Sequence, residues 1–279
     1  MADSAFITQY RDEAIAVYER EQSLLSQCCV NEFVRNGNTA TFLVAGSGSA
    51  TAVTRGVNGR IPARPDSLTQ TSATLQEWHD KVIKTNFNIF ASQGNQRAIM
   101  QRTTMGTLNR KVDDDIIAQL DTATIDTGTS TTASVSMVAK ALGYLGNQNV
   151  PLEDEENIFG VITPAFWGYL METREFASGD YVETKMFNGS IRKMFRWFGV
   201  NWIRHSGLSG IGTSTELCYL FHRNAIGHAA DVAGMDVDVG YNGEDAYSYA
   251  RVSVHVGSKL LQNTGIVQMK HDGSRTNLS

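Results

Sequence analysis

Histidine, cysteine and clustered acids are the residues of this chain with the chemistry to catalyse a reaction or hold a metal, and their spacing supports neither. His222 and His228 are six apart, which fits neither an HExxH arrangement nor an i, i+4 pair on one helix face. The cysteines are Cys28, Cys29 and Cys218, an odd set without the spaced pairs of a zinc site, and they are expected to be reduced structural thiols. Asp236-Val-Asp238-Val-Gly240 begins like a calcium loop, but Gly240 stands where a third oxygen ligand belongs, so a turn or strand edge is expected. In His205-Ser-Gly-Leu-Ser-Gly-Ile-Gly212 the residues after Ser209 are Gly210 and Ile211, so no G-x-S-x-G nucleophile elbow forms and the segment is expected to be a flexible loop. Glu153-Asp-Glu-Glu156 is expected to be a solvated acidic face. Phe195, Trp197, Phe198 and Trp202, interleaved with Arg192, Lys193, Arg196 and Arg204, have the make-up of a single-strand nucleic-acid platform. On a chain of formal net charge -5 they are expected instead as core aromatics flanked by basic stems.

The stretch from Val44 to Gly56, VAGSGSATAVTRG, resembles a phosphate-cradling loop. A dinucleotide loop needs a third glycine where Thr51 stands, and a P-loop needs Gly-Lys-Ser/Thr, which is absent. No helix pattern follows to face a phosphate. A nucleotide-binding enzyme using the Gly46 to Gly59 loop therefore stands as an alternative reading, while no catalytic residue, cofactor or metal is expected.

A chain of 279 residues corresponds to roughly two domains and can bury a substantial core. Charged residues make up 19%, below the ~25% of an average soluble protein, which suits a surface covered by copies of itself. Its net acidity argues against a large basic nucleic-acid footprint. MADSAFITQYRDEA has neither a basic n-region nor an apolar h-region, and no run approaches 18 apolar residues, so neither a standard secretion signal nor a membrane span is expected.

The elements that would position these residues follow from periodicity. Phe6, Ile7, Tyr10, Ala14 and Val17 predict an amphipathic N-terminal helix or arm over 4–25. Thr39 to Val44 predicts a strand leading out and Leu75 to Phe87 a strand leading back, enclosing about thirty aperiodic residues broken by Gly46, Gly48, Gly56, Gly59, Pro62 and Pro65. Met105, Leu108, Val112, Ile116 and Leu120 step by three or four and predict a long helix over 92–120. A second helix is predicted from Val135 to Leu145, then a strand at Ile158 to Ile162 running into Thr163-Pro164 as cap and first turn of a third helix. Residues 181–206 predict irregular strands around Trp197 and Trp202, and 216–230 an apolar strand followed by a short Ala-rich helix. Val252, Val254 and Val256 alternate with Arg251, Ser253 and His255, predicting a half-buried strand; Gly265 to Met269 predicts a last one.

This order of elements, with the TLNRKVDDDIIAQLD, ITPAFWGYLM and ARVSVHVGSKLLQNTGIV segments, resembles the major capsid proteins of tailed bacteriophages from about residue 4 to residue 270. The resemblance implies an α+β capsid fold: an N-terminal arm (1–38), a two-stranded extended loop (39–90), a spine helix with the peripheral domain (91–130, with strands from the C-terminal part), an axial domain (131–250), and a peripheral-domain strand with the C-terminal tail (251–279). It implies a non-enzymatic subunit that self-assembles into pentamers and hexamers of an icosahedral head shell around double-stranded DNA, bound without sequence specificity. It places the protein in the virion, assembled in the host cytoplasm, with separate scaffolding, portal and decoration proteins as further partners and no membrane. No long scaffolding segment precedes the arm, so a separate scaffold or none is expected. The glycines then let a thin arm bend to the curvature of both five-fold and six-fold rings. Arg55, Arg60 and Arg64 would grip a neighbouring subunit, with Asp113, Asp114 and Asp115 on the spine helix as acidic partners. A cellular nanocompartment shell of encapsulin type shares this fold and differs in its cargo.

Overall fold

The computed structural model describes residues 23–46, 51–63, 67–86, 88, 96–174 and 194–274. The predicted N-terminal helix falls outside them apart from its last residues. In chain order the strands are β1 (Val30–Val34), β2 (Thr39–Gly46), β3 (Ser67–Thr74), β4 (Gln76–Thr85), β5 (Ile158–Ile162), β6 (Met194–Trp197), β7 (Val200–Arg204), β8 (Glu216–His222), β9 (Ile226–Asp231), β10 (Asp236–Asn242), β11 (Tyr247–Leu260) and β12 (Ile266–His271). The helices are α1 (Gln96–Leu120), α2 (Val135–Asn147) and α3 (Pro164–Glu172).

The first sheet is built on the 14-residue strand β11. β4 and β10 both pair with its residues 247–253, so they must take opposite edges; β9 pairs with 256–260 on the β10 side, because Val256 already faces Gln76 of β4 on the other. β1 extends the sheet in parallel with β9. The alternation of β11 turns Val252, Val254 and Val256 onto Leu108 and Val112 of α1, with Trp78 and Met105 at the margin. Each such side chain withdrawn from water contributes about 1.5–3 kcal/mol.

The second sheet has the order β12-β8-β5-β7-β6. All five residues of β5 are buried, as a central strand with a parallel neighbour and both faces covered should be. Phe166 and Leu170 of α3 and Val138, Ala141 and Leu145 of α2 join this core. Ile116, Ile117 and Leu120, the last turns of α1, do as well. One helix thus serves both sheets, its middle on the first and its end in the second. The capping prediction for α3 is met: Thr163 Oγ1 accepts from the Phe166 amide at 3.1 Å and donates to the buried Glu216 at 2.7 Å.

Several sequence expectations need correction. The strand that pairs with β2 is β3, from Ser67 to Thr74, in the register Thr39 to Thr74 through Gly46 to Ser67. Leu75 to Phe87 was expected there, but β4 pairs with β11 instead. The Ser- and Thr-rich β3 is exposed at most positions and so has no apolar rhythm to reveal it. The Ala-rich helix after β8 is β9, because Ala229 and Ala230 are drawn into pairing with β1 and β11. The 205–212 loop is pinned by buried His205 and Leu208 rather than free. β9 and β10 join the first sheet and β12 the second.

Candidate functional site

The β2–β3 hairpin is rooted by few residues. Ala40, Phe42 and Ala73 are buried against Ala229, and the Phe42 ring lies where Gly227 leaves room, since a Cβ there would stand 2.7 Å from Phe42 Cζ. Beyond Phe42 the hairpin leaves the body of the subunit. Leu43 and Leu68 are 66% and 53% exposed, and every residue from 51 to 63 is exposed. The Gly56 amide donates to the Arg60 carbonyl at 3.0 Å and the Gly59 amide to the Gly56 carbonyl at 2.8 Å. Gly59 completes this turn at φ +69°, where a side chain would be strained. Arg55 and Arg60 are exposed on this loop; Arg64 lies outside the described residues.

The acidic run on α1 divides. Asp114 is exposed and Asp115 half-buried, but Asp113 is fully buried. Its carboxylate accepts from Ser23 Oγ at 2.6 Å, from the Leu24 and Leu25 amides at 3.2 Å, and from His205 Nε2 at 3.1 Å. The Gly207 amide donates to His205 Nδ1 at 3.0 Å, which leaves the ring proton on Nε2, facing Asp113. Burial opposes ionisation of Asp113, yet the hydrogen bonds from His205, Ser23 and the two amides outweigh it and hold the carboxyl below its ordinary range. The expectation that Asp113 meets an arginine of a neighbour is corrected: it clamps the start of the described N-terminal segment to α1 and to the loop after β7.

The aromatic and basic cluster is only partly core: Trp197 and Trp202 are buried in the second core and Phe195 is half-buried, but Phe198, expected inside, is 55% exposed. Arg196 pairs with Glu155 and Arg204 lies over the Trp167 ring at 5.3 Å, while Arg192 and Lys193 lie outside the described residues. Burial pushes the thiols of Cys28 and Cys218 up to about 12 and that of Cys29 up as well, away from the thiolate that a nucleophile or metal ligand needs. Among the described residues no group of His, Cys, Asp or Glu is arranged to hold a metal, and no helix is long and apolar enough to cross a membrane. Glu153 to Glu156 is exposed. The arrangement that demands a partner is the projecting hairpin, whose exposed aliphatics Val53, Val57 and Ile61 sequence reasoning passed over in favour of its glycines and arginines. The available signal was their place in a stretch without apolar periodicity and broken by Gly and Pro, which gives them no face of their own subunit to join.

The fold recurs in solved structures. The chain superposes on Mycobacterium phage Che8 with a TM-score of 0.73 at 16% identity, over 96% of this chain and 98% of that one. The capsid of a native GTA particle gives 0.71 at 12% identity over 97% and 96%. The capsid structure of cyanophage P-SCSP1u gives 0.70 at 11% over 96% and 93%. These likenesses define the class as the α+β fold of capsid shells. The model of the phage capsid protein family matches residues 2–273, and the chain belongs to that family. It is a major capsid protein, a structural subunit of a head shell and so of the virion. No curated protein matches the chain.

Proposed function

We propose that the subunits close into pentamers and hexamers of an icosahedral shell around double-stranded DNA, and that the β2–β3 loop ties each subunit to its neighbour. The observation that carries this is the loop itself: a long arm with an exposed apolar tip and no core of its own needs another surface to cover it. Arg55 and Arg60, with Arg64 beyond them, supply the cationic side of the contact, and acids of a neighbour, the exposed Asp114 and the half-buried Asp115 among them, the anionic side. The first sheet with α1 forms the peripheral domain and the second sheet with α2 and α3 the axial domain that meets at capsomer centres. The role is structural, without catalytic turnover or cofactor. Assembly takes place in the host cytoplasm, with scaffolding, portal and decoration proteins as separate chains. The net charge of -5 suits a wall that encloses DNA without gripping it.

The test is expression of the chain alone and with the other head proteins, followed by size-exclusion chromatography and negative stain. Megadalton shells are expected, and a chain that stays monomeric under all these conditions refutes the reading. Nuclease-resistant DNA inside the shells, rather than packaged protein, separates a phage head from a nanocompartment.

A further inference from the structure

His255 of β11 points to the face of the first sheet away from α1, since Val254 and Val256 on either side of it pack on that helix. It stands between the two legs of the β2–β3 hairpin. On one side pairing sets Glu77 of β4 directly opposite it, two residues past Leu75, where the chain returns from β3. On the other side β10 pairs no further than Ser253 and β9 begins to pair at Val256, and Asp231, the last residue of β9, fills the interval. Asp231 also pairs with Val34, from which the chain turns into β2. His255, Asp231 and Glu77 line a cleft of about 280 Å³ together with Val34, Arg35 and Leu75. The Leu75 amide donates to the Asn38 carbonyl at 2.7 Å and closes the hairpin base above this row.

Both nitrogens of the His255 ring face carboxylates. Nδ1 is 3.2 Å from Asp231 Oδ2 and Nε2 is 3.4 Å from Glu77 Oε1. An ionised carboxylate only accepts, so holding both acids requires a proton on each nitrogen, and a neutral ring, with a single N–H, must let one of them go. The titratable and charged groups that face His255 are Glu77 and His79 from β4, Asp231 from the end of β9, and Arg35 from the turn between β1 and β2. His79 does not share the constraint: its Nε2 is 3.1 Å from Glu77 Oε1, but its Nδ1 meets Ser253 Oγ at 2.8 Å, and a hydroxyl can donate as well as accept.

Hydrogen bonds with Asp231 and then Glu77 raise the His255 titration above its ordinary value, while burial pushes His222, His228 and His271 down and keeps them neutral. The double contact is therefore complete below about pH 6.5 and is lost as pH rises through the raised value. A small change at this root is magnified at the tip. The eight residues of β3 reach roughly 26 Å, so a tilt of about 10° at the base moves their far end by roughly 4–5 Å.

We propose that His255 is a pH-sensitive latch at the hairpin root: its imidazolium ties Asp231, beside the leg that enters the hairpin, to Glu77, on the leg that leaves it, and so fixes the angle at which the hairpin projects. The neutral ring releases one leg and widens the range of angles. This rests on the reading of the hairpin as an assembly arm and adds what sets its direction.

The angle can be read on free subunits by spin labels on Val57→Cys and Glu244→Cys, both exposed, because the chain's own cysteines are all buried. Distance distributions are compared at about pH 5.5 and about pH 9, on either side of the histidine range. In the otherwise wild-type chain a narrow distribution is expected in acid and a broader one in base. His255→Gln should be broad at both values. His255→Arg, whose guanidinium is charged throughout and can donate to both carboxylates, should be narrow at both. A wild-type distribution that does not change, or that narrows in base, overturns the latch, as does a His255→Gln or His255→Arg chain that keeps the wild-type pH dependence. Histidine ring signals in the unlabelled protein give a second readout, with the His255 signal assigned by its absence from His255→Gln. It is expected to titrate above the ordinary histidine value and to move down in both Asp231→Asn and Glu77→Gln; titration at or below that value overturns the proposal. All of this is measured without shells, so the latch and the assembly reading can fail separately.

Discussion

Two residues decide how the loosely held parts of the subunit are fastened. Asp113 gathers donors from two separate segments, so replacing it by Asn leaves some of Ser23, the Leu24 and Leu25 amides and His205 without an acceptor in a buried place. Asp113→Asn is expected to lower stability by about 2–4 kcal/mol, measured by denaturant unfolding of the free subunit. The folded carboxyl titrates below its unfolded value of about 3.9, so its contribution is complete above about pH 4 and is lost as pH falls through the folded value. The wild-type melting temperature should therefore drop more steeply below pH 4 than that of the Asn variant; parallel curves would deny the carboxylate this role. Gly227 fastens the other end. Gly227→Ala puts a Cβ 2.7 Å from Phe42 Cζ, and displacing that ring is expected to cost about 1–3 kcal/mol, with faster hydrogen exchange at Ala40 and Phe42 as its local sign. Uniform exchange rates across the hairpin root in both proteins would count against Phe42 as its anchor.

At the scale of elements, the hairpin and the two sheets have separate duties. Ala40, Phe42 and Ala73 hold the hairpin to β9, and nothing from 51 to 63 is buried. Deleting residues 46–59 is therefore expected to leave a folded subunit with a cooperative melt close to that of the wild type, while shell yield collapses. If the deletion abolishes the melt, the loop belongs to the core. The helix α1 behaves in the opposite way, since Leu108 and Val112 serve one core and Ile116 and Leu120 the other. Much of this was legible beforehand. The three- and four-residue steps from Met105 to Leu120 gave the helix, and Thr163-Pro164 gave the cap of α3. The return strand of the hairpin was not legible, because the Ser-Leu-Thr-Gln-Thr-Ser-Ala-Thr segment buries Ala73 alone and is wet at nearly every other position.

For the whole shell, weak contacts count by repetition. One exposed ion pair contributes ~0.2–1 kcal/mol, which a single subunit hardly registers. An icosahedral shell repeats it at every subunit. Arg55→Glu with Arg60→Glu is expected to block assembly, read as loss of the megadalton peak, while the unfolding free energy of the free subunit stays within about 0.5 kcal/mol of the wild type. Raising the salt concentration during assembly should weaken wild-type yield in the same direction, since exposed charges are screened beyond about 8–10 Å at 0.1–0.15 M. Normal shells from the doubly reversed chain would show that the aliphatic tip alone makes the contact.

The sequence by itself determined what short-range periodicity and spacing can encode: the spine helix, the Val252-Val254-Val256 strand, the capped third helix, and the mismatch of every His, Cys, Ser and Gly-rich motif with the chemistry it resembled. Tertiary structure alone decided which strands share a sheet, and so brought β1 to β9 and β4 to β11 across some of the longest separations in the chain. It also decided the fate of Asp113, Asp114 and Asp115. These three consecutive carboxylates point in different directions around a helix, one of them inward onto amides and an imidazole from distant segments. Local pattern fixes the 100° step between neighbours on a helix, but only the packed fold determines which of those directions faces another segment and which faces water.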